Sequence, residues 1–137
     1  VEAGEKKGAV VAGVVVGGFV VSWSEAAGHS LYQPPSGFNI KDPDDLQRLI
    51  DVLPIQAKLL IVAAWFLGAF SGAWTAIRIS GESRAGWVVG LIFAVLSIMT
   101  VVSIPHPIWM IVCAVILPFA AAWLALRLSN NRSTESA

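Results

Sequence analysis

The chain has 137 residues, which is enough for one domain. Hydrophobic residues make up 56% of it and charged residues 13%, against about 25% charged residues in ordinary soluble domains, so much apolar surface must face something other than water. Nine basic and nine acidic residues give no net charge, which excludes a basic surface for nucleic acid, and the single cysteine, Cys113, excludes an internal disulfide and a thiolate zinc site.

Four uncharged stretches are each long enough to cross a membrane. We predict spans over about 8–28, 58–79, 85–104 and 107–127, because about 20 helical residues cover the roughly 30 Å hydrocarbon core. The first stretch follows two lysines and ends in small residues, as cleaved signal peptides do, but we interpret it as a retained span. The last two lie in one uncharged run that Pro105 and Pro107 interrupt, because proline disrupts a helix interior.

The only sizeable loop joins the first two spans and contains a predicted short amphipathic helix over about 43–53. Asp42 followed by Pro43 is typical of a helix start. Four apolar residues then recur at helical spacing, with polar residues on the other face: Leu46, Leu49, Ile50 and Leu53. We expect this helix to lie on the outer membrane surface or over the mouth of the bundle, as a plain connector, a lid or a partner-docking element.

Basic residues predict the direction in which the spans run. Four crossings put both termini and the 79–85 loop on one side. That side holds six basic residues and the other holds three: Lys6, Lys7, Arg78, Arg84, Arg127 and Arg132 against Lys41, Arg48 and Lys58. The positive-inside rule therefore places both termini in the cytoplasm. Tryptophans at the span ends agree, because indoles settle at the headgroup level: Trp23, Trp65 and Trp109 at the outer ends, and Trp74, Trp87 and Trp123 at the inner ends.

Small residues at four-residue spacing predict close contacts between helices, because lipid offers no hydrophobic drive for helices to associate. They form stripes on three spans: Gly13 and Gly17 on the first, Ala64, Gly68, Gly72 and Ala76 on the second, and Gly86, Gly90 and Ala94 on the third. These faces join helices within the chain or join the chain to another subunit, and the sequence leaves both open. The predicted fold is all-α: a membrane-spanning antiparallel four-helix bundle with the short amphipathic helix in its outer loop.

The polar residues of interest lie at the outer edge of the predicted spans. Glu25 and His29 are four residues apart and share one helix face, and His106 lies in the Pro-His-Pro tip on the same side. Two imidazoles and a carboxylate could bind zinc or another divalent metal, form a pH-sensitive hydrogen-bond cluster, or tie the first span to the distal hairpin. Because these three residues have no fixed motif spacing, we assign them no metal and predict no cofactor.

Two segments resemble a group of small, uncharacterised bacterial inner-membrane proteins. The first runs from Glu25 to Pro35, with the sequence EAAGHSLYQPP, and the second runs from Ile104 to Trp109, with the sequence IPHPIW. With the short helix that begins at Asp42-Pro43 between them, and with a similar chain length, the resemblance covers nearly the whole chain. It implies four spans and the bacterial inner membrane, and it implies no activity.

The residues favour a non-enzymatic membrane protein, because we find no nucleophile–base pair and no nucleotide-binding loop. The first hypothesis is a structural or accessory subunit that associates through its small-residue faces with itself or with a larger membrane complex. The alternative is a small transporter or channel gated by the Glu/His cluster, which predicts a hydrated crevice from Glu25 toward Ser71 or Ser97. A third hypothesis is a metal-dependent membrane enzyme that uses Glu25, His29 and His106.

Overall fold

The computed structural model describes residues 2–135, which form five α-helices and no β-strand. Helix α1 spans Glu2–Leu31, α2 spans Pro43–Val52, α3 spans Ile55–Ser80, α4 spans Ser83–Ser103 and α5 spans Ile108–Glu135. Helices α1, α3, α4 and α5 are long and apolar enough to cross a membrane, which makes this a multi-pass membrane protein. The predicted all-α four-helix bundle is confirmed.

The helices continue beyond the predicted spans, mainly toward the chain termini. Helix α1 begins at Glu2, before the span predicted from residue 8, and α5 runs to Glu135, past the predicted end at 127. Backbone hydrogen bonds can extend a helix into water after its apolar residues stop. Hydropathy therefore locates the segment within the membrane, and it does not locate the end of the helix.

Contacts made by the two described ends of the chain establish the antiparallel arrangement. Lys6 Nζ lies 2.8 Å from Glu82 Oε1, which ties the start of α1 to the turn between α3 and α4. The Arg132 guanidinium carbon lies 5.4 Å from the ring centroid of Trp74, which ties the end of α5 to the last turns of α3. Both described ends of the chain therefore lie beside the α3–α4 turn. We call the opposite end, with α2 and the α4–α5 turn, the outer end.

The four long helices are arranged around a central pair. Helices α3 and α4 contact each other, and each of them also contacts α1 and α5. Helices α1 and α5 have no contact with each other, so they flank the central pair on opposite sides. The contact between α1 and α4 is the least extensive of the five. The short helix α2 comes within 8 Å of none of the four, measured between Cα atoms.

Helices α1 and α3 meet backbone to backbone at glycines, a contact that we call the glycine seam. A Cβ built on Gly13 would lie 2.5 Å from the carbonyl oxygen of Gly72, and a Cβ built on Gly72 would lie 2.7 Å from the oxygen of Gly13. Gly17 and Gly68 face each other in the same way. Because a real Cβ does not approach a backbone oxygen so closely, only glycine allows the two helices to meet here.

The remaining small residues of the stripes also pack against other helices of the same chain. Gly86 packs against the side chain of Ile77, and Gly90 packs against Ala122 on α5. All nine stripe residues are buried in the single chain: Gly13, Gly17, Ala64, Gly68, Gly72, Ala76, Gly86, Gly90 and Ala94. The surface that α1 leaves exposed carries large apolar side chains instead: Val11, Val15, Phe19 and Trp23.

Adding one methyl group to the glycine seam should destabilise the bundle. We expect Gly13→Ala to lower the free energy of unfolding by about 1–3 kcal/mol, because the new Cβ would overlap a backbone oxygen that has no side-chain freedom to move. Gly18→Ala is the matched control, since a Cβ at Gly18 meets nothing within 4 Å. Reversible unfolding of both variants in detergent micelles measures the difference, and equal stability of the two would contradict the seam.

Candidate functional site

The three residues of the predicted Glu/His cluster all line one cavity at the outer end. Glu25 and His29 lie in the last turns of α1, and His106 lies in the turn between α4 and α5. The cavity has a volume of about 340 Å³, which is within the range of small-molecule sites, about 300–1,000 Å³. Its wall is completed by residues from α2, from the first turns of α3 and from the end of α4.

His106 is the most firmly positioned of the three. Its Nδ1 lies 2.6 Å from the carbonyl oxygen of Ile104. Because a carbonyl oxygen only accepts hydrogen bonds, Nδ1 carries the hydrogen in this contact, and the neutral ring keeps Nε2 as an acceptor. The imidazole centroid also lies 5.9 Å from the ring centroid of Trp65, at an angle of 57°. The α4–α5 turn is thereby held against α3.

Glu25 and His29 are exposed, in contrast to the half-buried His106. Their spacing of four residues puts both side chains on one face of α1, as the sequence predicts. Within residues 2–135, no three His, Cys, Asp or Glu side chains are grouped so that they could hold a metal ion. Glu25, His29 and His106 therefore share a cavity without forming such a group.

Helix α2 forms one wall of the cavity through its apolar face. The four residues predicted at helical spacing, Leu46, Leu49, Ile50 and Leu53, all line the cavity. The Asp42 carboxylate accepts a hydrogen bond from the backbone amide of Asp44 at 3.0 Å, which caps the start of α2 as predicted. No Cα atom of α2 lies within 8 Å of a Cα atom of another helix, so apart from the short link to α3 it meets the cavity through its side chains.

A second cavity, of about 260 Å³, lies between α1 and α4. We call it the crevice. It is lined by Gly18, Val21, Ser22 and Glu25 from α1, by Phe93, Leu96, Ser97 and Thr100 from α4, and by Trp65 from α3. Glu25, Trp65 and Thr100 line both cavities, so the two adjoin at Glu25. The crevice thus runs from Glu25 to Ser97, one of the two serines toward which the transporter or channel hypothesis predicts a path.

The other serine, Ser71, is not part of the crevice lining. Its hydroxyl donates a hydrogen bond to the carbonyl oxygen of Leu67 at 2.7 Å, one turn earlier in α3. Thr75 and Thr100 bond their own helices in the same way, at 2.8 Å and 2.9 Å. These hydroxyls are satisfied by the local backbone, as expected for Ser and Thr in a membrane helix.

Trp65 is a site residue that the sequence pattern does not single out. Its position near the end of a span predicts an indole at the headgroup level, and Trp23 at the same end is 72% exposed, as such an indole would be. Trp65 is only 6% exposed; it packs with Val62, Val101 and Met110 and borders both cavities. Hydropathy gives the depth of a residue in the membrane but not the direction in which its side chain points.

The two segments that carry the resemblance to small bacterial four-span proteins meet at this site. Glu25–Pro35 forms the end of α1 and the chain that follows it, and Ile104–Trp109 forms the α4–α5 turn. The chain matches no protein-family model, no curated protein and no solved structure. The resemblance therefore stays a prediction.

The two histidines of the cavity should contribute unequally to stability. We expect His106→Ala to lower the free energy of unfolding by about 1–2 kcal/mol, because it removes the hydrogen bond to Ile104 and the contact with Trp65. His29→Ala should change it by less than about 0.5 kcal/mol, because His29 is exposed. Unfolding in detergent measures both changes, and equal effects would contradict a positioned His106.

Proposed function

We propose that this protein is a small non-enzymatic integral membrane protein that acts by holding a small molecule in the outer cavity. The observation that carries this proposal is the convergence of Glu25, His29 and His106, from two distant segments, on one cavity with an otherwise largely apolar wall. A concave apolar site with a few polar groups is the usual form of a small-molecule site. This proposal develops the transporter or channel alternative and places the function at the outer end.

Toward the inner half of the bundle, α1, α3 and α4 pack closely around the glycine seam. The tip of Phe93 reaches the glycine seam, where a Cβ on Gly72 would lie 3.3 Å from its ring. Phe93 also ends the crevice lining on α4. Beyond it, the seam brings the α1 and α3 backbones together at Gly13 and Gly72. The described arrangement therefore supports a site that is reached from the outer end and is closed toward the inner end.

A second candidate function is the accessory subunit. The sequence favours it through the small-residue stripes, but those faces are buried inside the chain. The exposed apolar ridge of α1 favours an accessory subunit. On this ridge Phe19 and Trp23 stack with ring centroids 6.5 Å apart. Helix α1 also has the smallest buried share of the four candidate spans. Lipid covers such a ridge as well as a partner helix does, so the ridge by itself does not require a partner. The cavity is therefore the stronger basis for a proposed function.

We propose further that the protein resides in a bacterial inner membrane with both termini in the cytoplasm. The described ends of the chain lie beside the α3–α4 turn, and this end of the bundle has six of the nine basic residues of the sequence. Short loops rich in lysine and arginine remain on the cytoplasmic side during insertion. The bacterial origin rests on the resemblance carried by Glu25–Pro35 and Ile104–Trp109.

Single cysteines should react from opposite sides of the membrane. In a Cys113→Ser background, we expect Ser36→Cys to be labelled by a membrane-impermeant maleimide on intact cells, because Ser36 lies in the exposed loop at the outer end. Thr134→Cys should be labelled only after the cells are opened. The reverse pattern would place the cavity on the cytoplasmic side.

Filling the cavity should remove its ligand. Gly28 lines the cavity, and a Cβ there meets nothing within 4 Å, so Gly28→Leu adds volume without a backbone clash. Native mass spectrometry of protein extracted gently from its own membrane should show an added small-molecule mass that Gly28→Leu removes. Gly8→Leu is the control, because Gly8 lies on α1 in open space away from both cavities.

The same spectra separate the two candidate functions. A fixed larger assembly that carries no small molecule, with Gly28→Leu unchanged, would support the accessory subunit and contradict the cavity. A small-molecule mass that survives in Gly28→Leu would place the ligand elsewhere on the protein and would contradict the cavity as well.

A further inference from the structure

The residues around Glu25 indicate the chemistry of the ligand. Among the described residues, Glu25 is the only carboxylate that lines either cavity, and no lysine or arginine lines them. It lies where the cavity and the crevice adjoin. A carboxylate in such a setting attracts a cation, and no lysine or arginine of the described lining competes for that position.

Two further groups favour a cation that carries N–H bonds. His106 lines the cavity and donates Nδ1–H to the Ile104 carbonyl, so the neutral ring keeps Nε2 as an acceptor. Trp65 and Tyr32 both line the cavity and supply aromatic rings, toward which cations are attracted. A protonated amine satisfies the carboxylate, the imidazole acceptor and the aromatic rings together.

The rest of the site requires an apolar body. The apolar face of α2 supplies four side chains to the cavity wall, and Val21, Phe93 and Leu96 line the crevice. For a molecule taken from water, burying each methylene group contributes about 0.8 kcal/mol, which is about a fourfold gain in affinity. For a molecule already dissolved in lipid, the same wall only has to match the environment that the hydrocarbon chain leaves. The ligand therefore combines a cationic head with a hydrocarbon body.

The crevice also indicates how such a molecule enters. It lies between α1 and α4, which have the least extensive contact among the helix pairs of the bundle. In a membrane, the gap between α1 and α4 would open toward lipid, because it lies on the outside of the bundle. Gly18 leaves space in the crevice wall. An amphipathic molecule dissolved in the outer leaflet, with its head at the surface, would already lie at the depth of Glu25.

We propose that the outer cavity binds a protonated lipophilic amine, which enters from the outer leaflet through the α1–α4 crevice and places its ammonium group at Glu25. This inference rests on the proposed binding function and adds the chemical class of the ligand and its route. The attraction by Glu25 selects the charge of the ligand, while the apolar wall accommodates its hydrocarbon body.

The test compares three probes of equal chain length in lipid nanodiscs of zwitterionic lipid at neutral pH: octylamine, octanol and octanoate, each radiolabelled. Equilibrium dialysis against protein-containing and empty nanodiscs separates binding from partition into lipid. We expect saturable binding of octylamine at one site per chain. Glu25→Gln should weaken octylamine by about 2- to 5-fold, because Glu25 is exposed and its charge is partly screened, and it should leave octanol unchanged.

Two leucine variants test the route. Gly18→Leu should weaken octylamine more than butylamine, because Gly18 lines the crevice and not the outer cavity. Gly8→Leu, on the same helix and equally unhindered, should change neither probe. Equal effects of Gly18→Leu on the long and short amines would contradict a hydrocarbon body in the crevice.

Different results would contradict the amine class and the proposed binding function. If octanoate binds as tightly as octylamine, or if Glu25→Gln weakens all three probes equally, the amine class is wrong even when Gly28→Leu still removes the native ligand. If no probe saturates and native spectra show no retained molecule, both the binding function and the amine class are wrong.

Discussion

The backbone contact between α1 and α3 is the interaction on which the rest of the bundle depends. In lipid, apolar side chains gain little by leaving one apolar environment for another, so helices are held by close packing. The glycine seam allows the closest packing in the chain, at Gly13 with Gly72 and Gly17 with Gly68. It fixes the position of α1, the least buried of the candidate spans, and thereby brings the end of α1 to the same height as Trp65.

The bundle differs between its two ends because the seam occupies only part of α1. At the inner end, glycines, alanines and Phe93 fill the space, and the Lys6–Glu82 ion pair joins the surface turns. At the outer end, α1 and α4 leave a crevice, and α2 closes the adjoining cavity with side chains rather than with helix packing. Glu25, His29 and His106 all lie at this looser end. The same packing rule therefore stabilises one half of the protein and leaves room for a ligand in the other.

The relative sizes of the interactions at the outer end suggest how a ligand would be selected. An exposed ion pair contributes about 0.2–1 kcal/mol, which one or two buried methylene groups match at about 0.8 kcal/mol each. For a ligand taken from water, an apolar body therefore supplies most of the binding free energy, whereas for a ligand already in lipid it contributes little. In both cases Glu25 distinguishes ligands by charge. His106 adds a directional acceptor, because its other nitrogen is already bonded to Ile104. Affinity and selectivity in the proposed site thus come from different groups.

The sequence by itself determined the all-α fold, the four apolar spans, the capped amphipathic helix and the close-packing residues, because apolar runs, proline and small-residue spacing act locally along a chain. It also placed Glu25, His29 and His106 at one end, since each lies at the end of a span. Only the tertiary structure decided that the small residues pack within the chain, that Trp65 turns inward and that a crevice opens between α1 and α4. These features depend on the rotation and neighbours of each helix, which periodicity leaves undetermined because every face of a membrane helix is apolar.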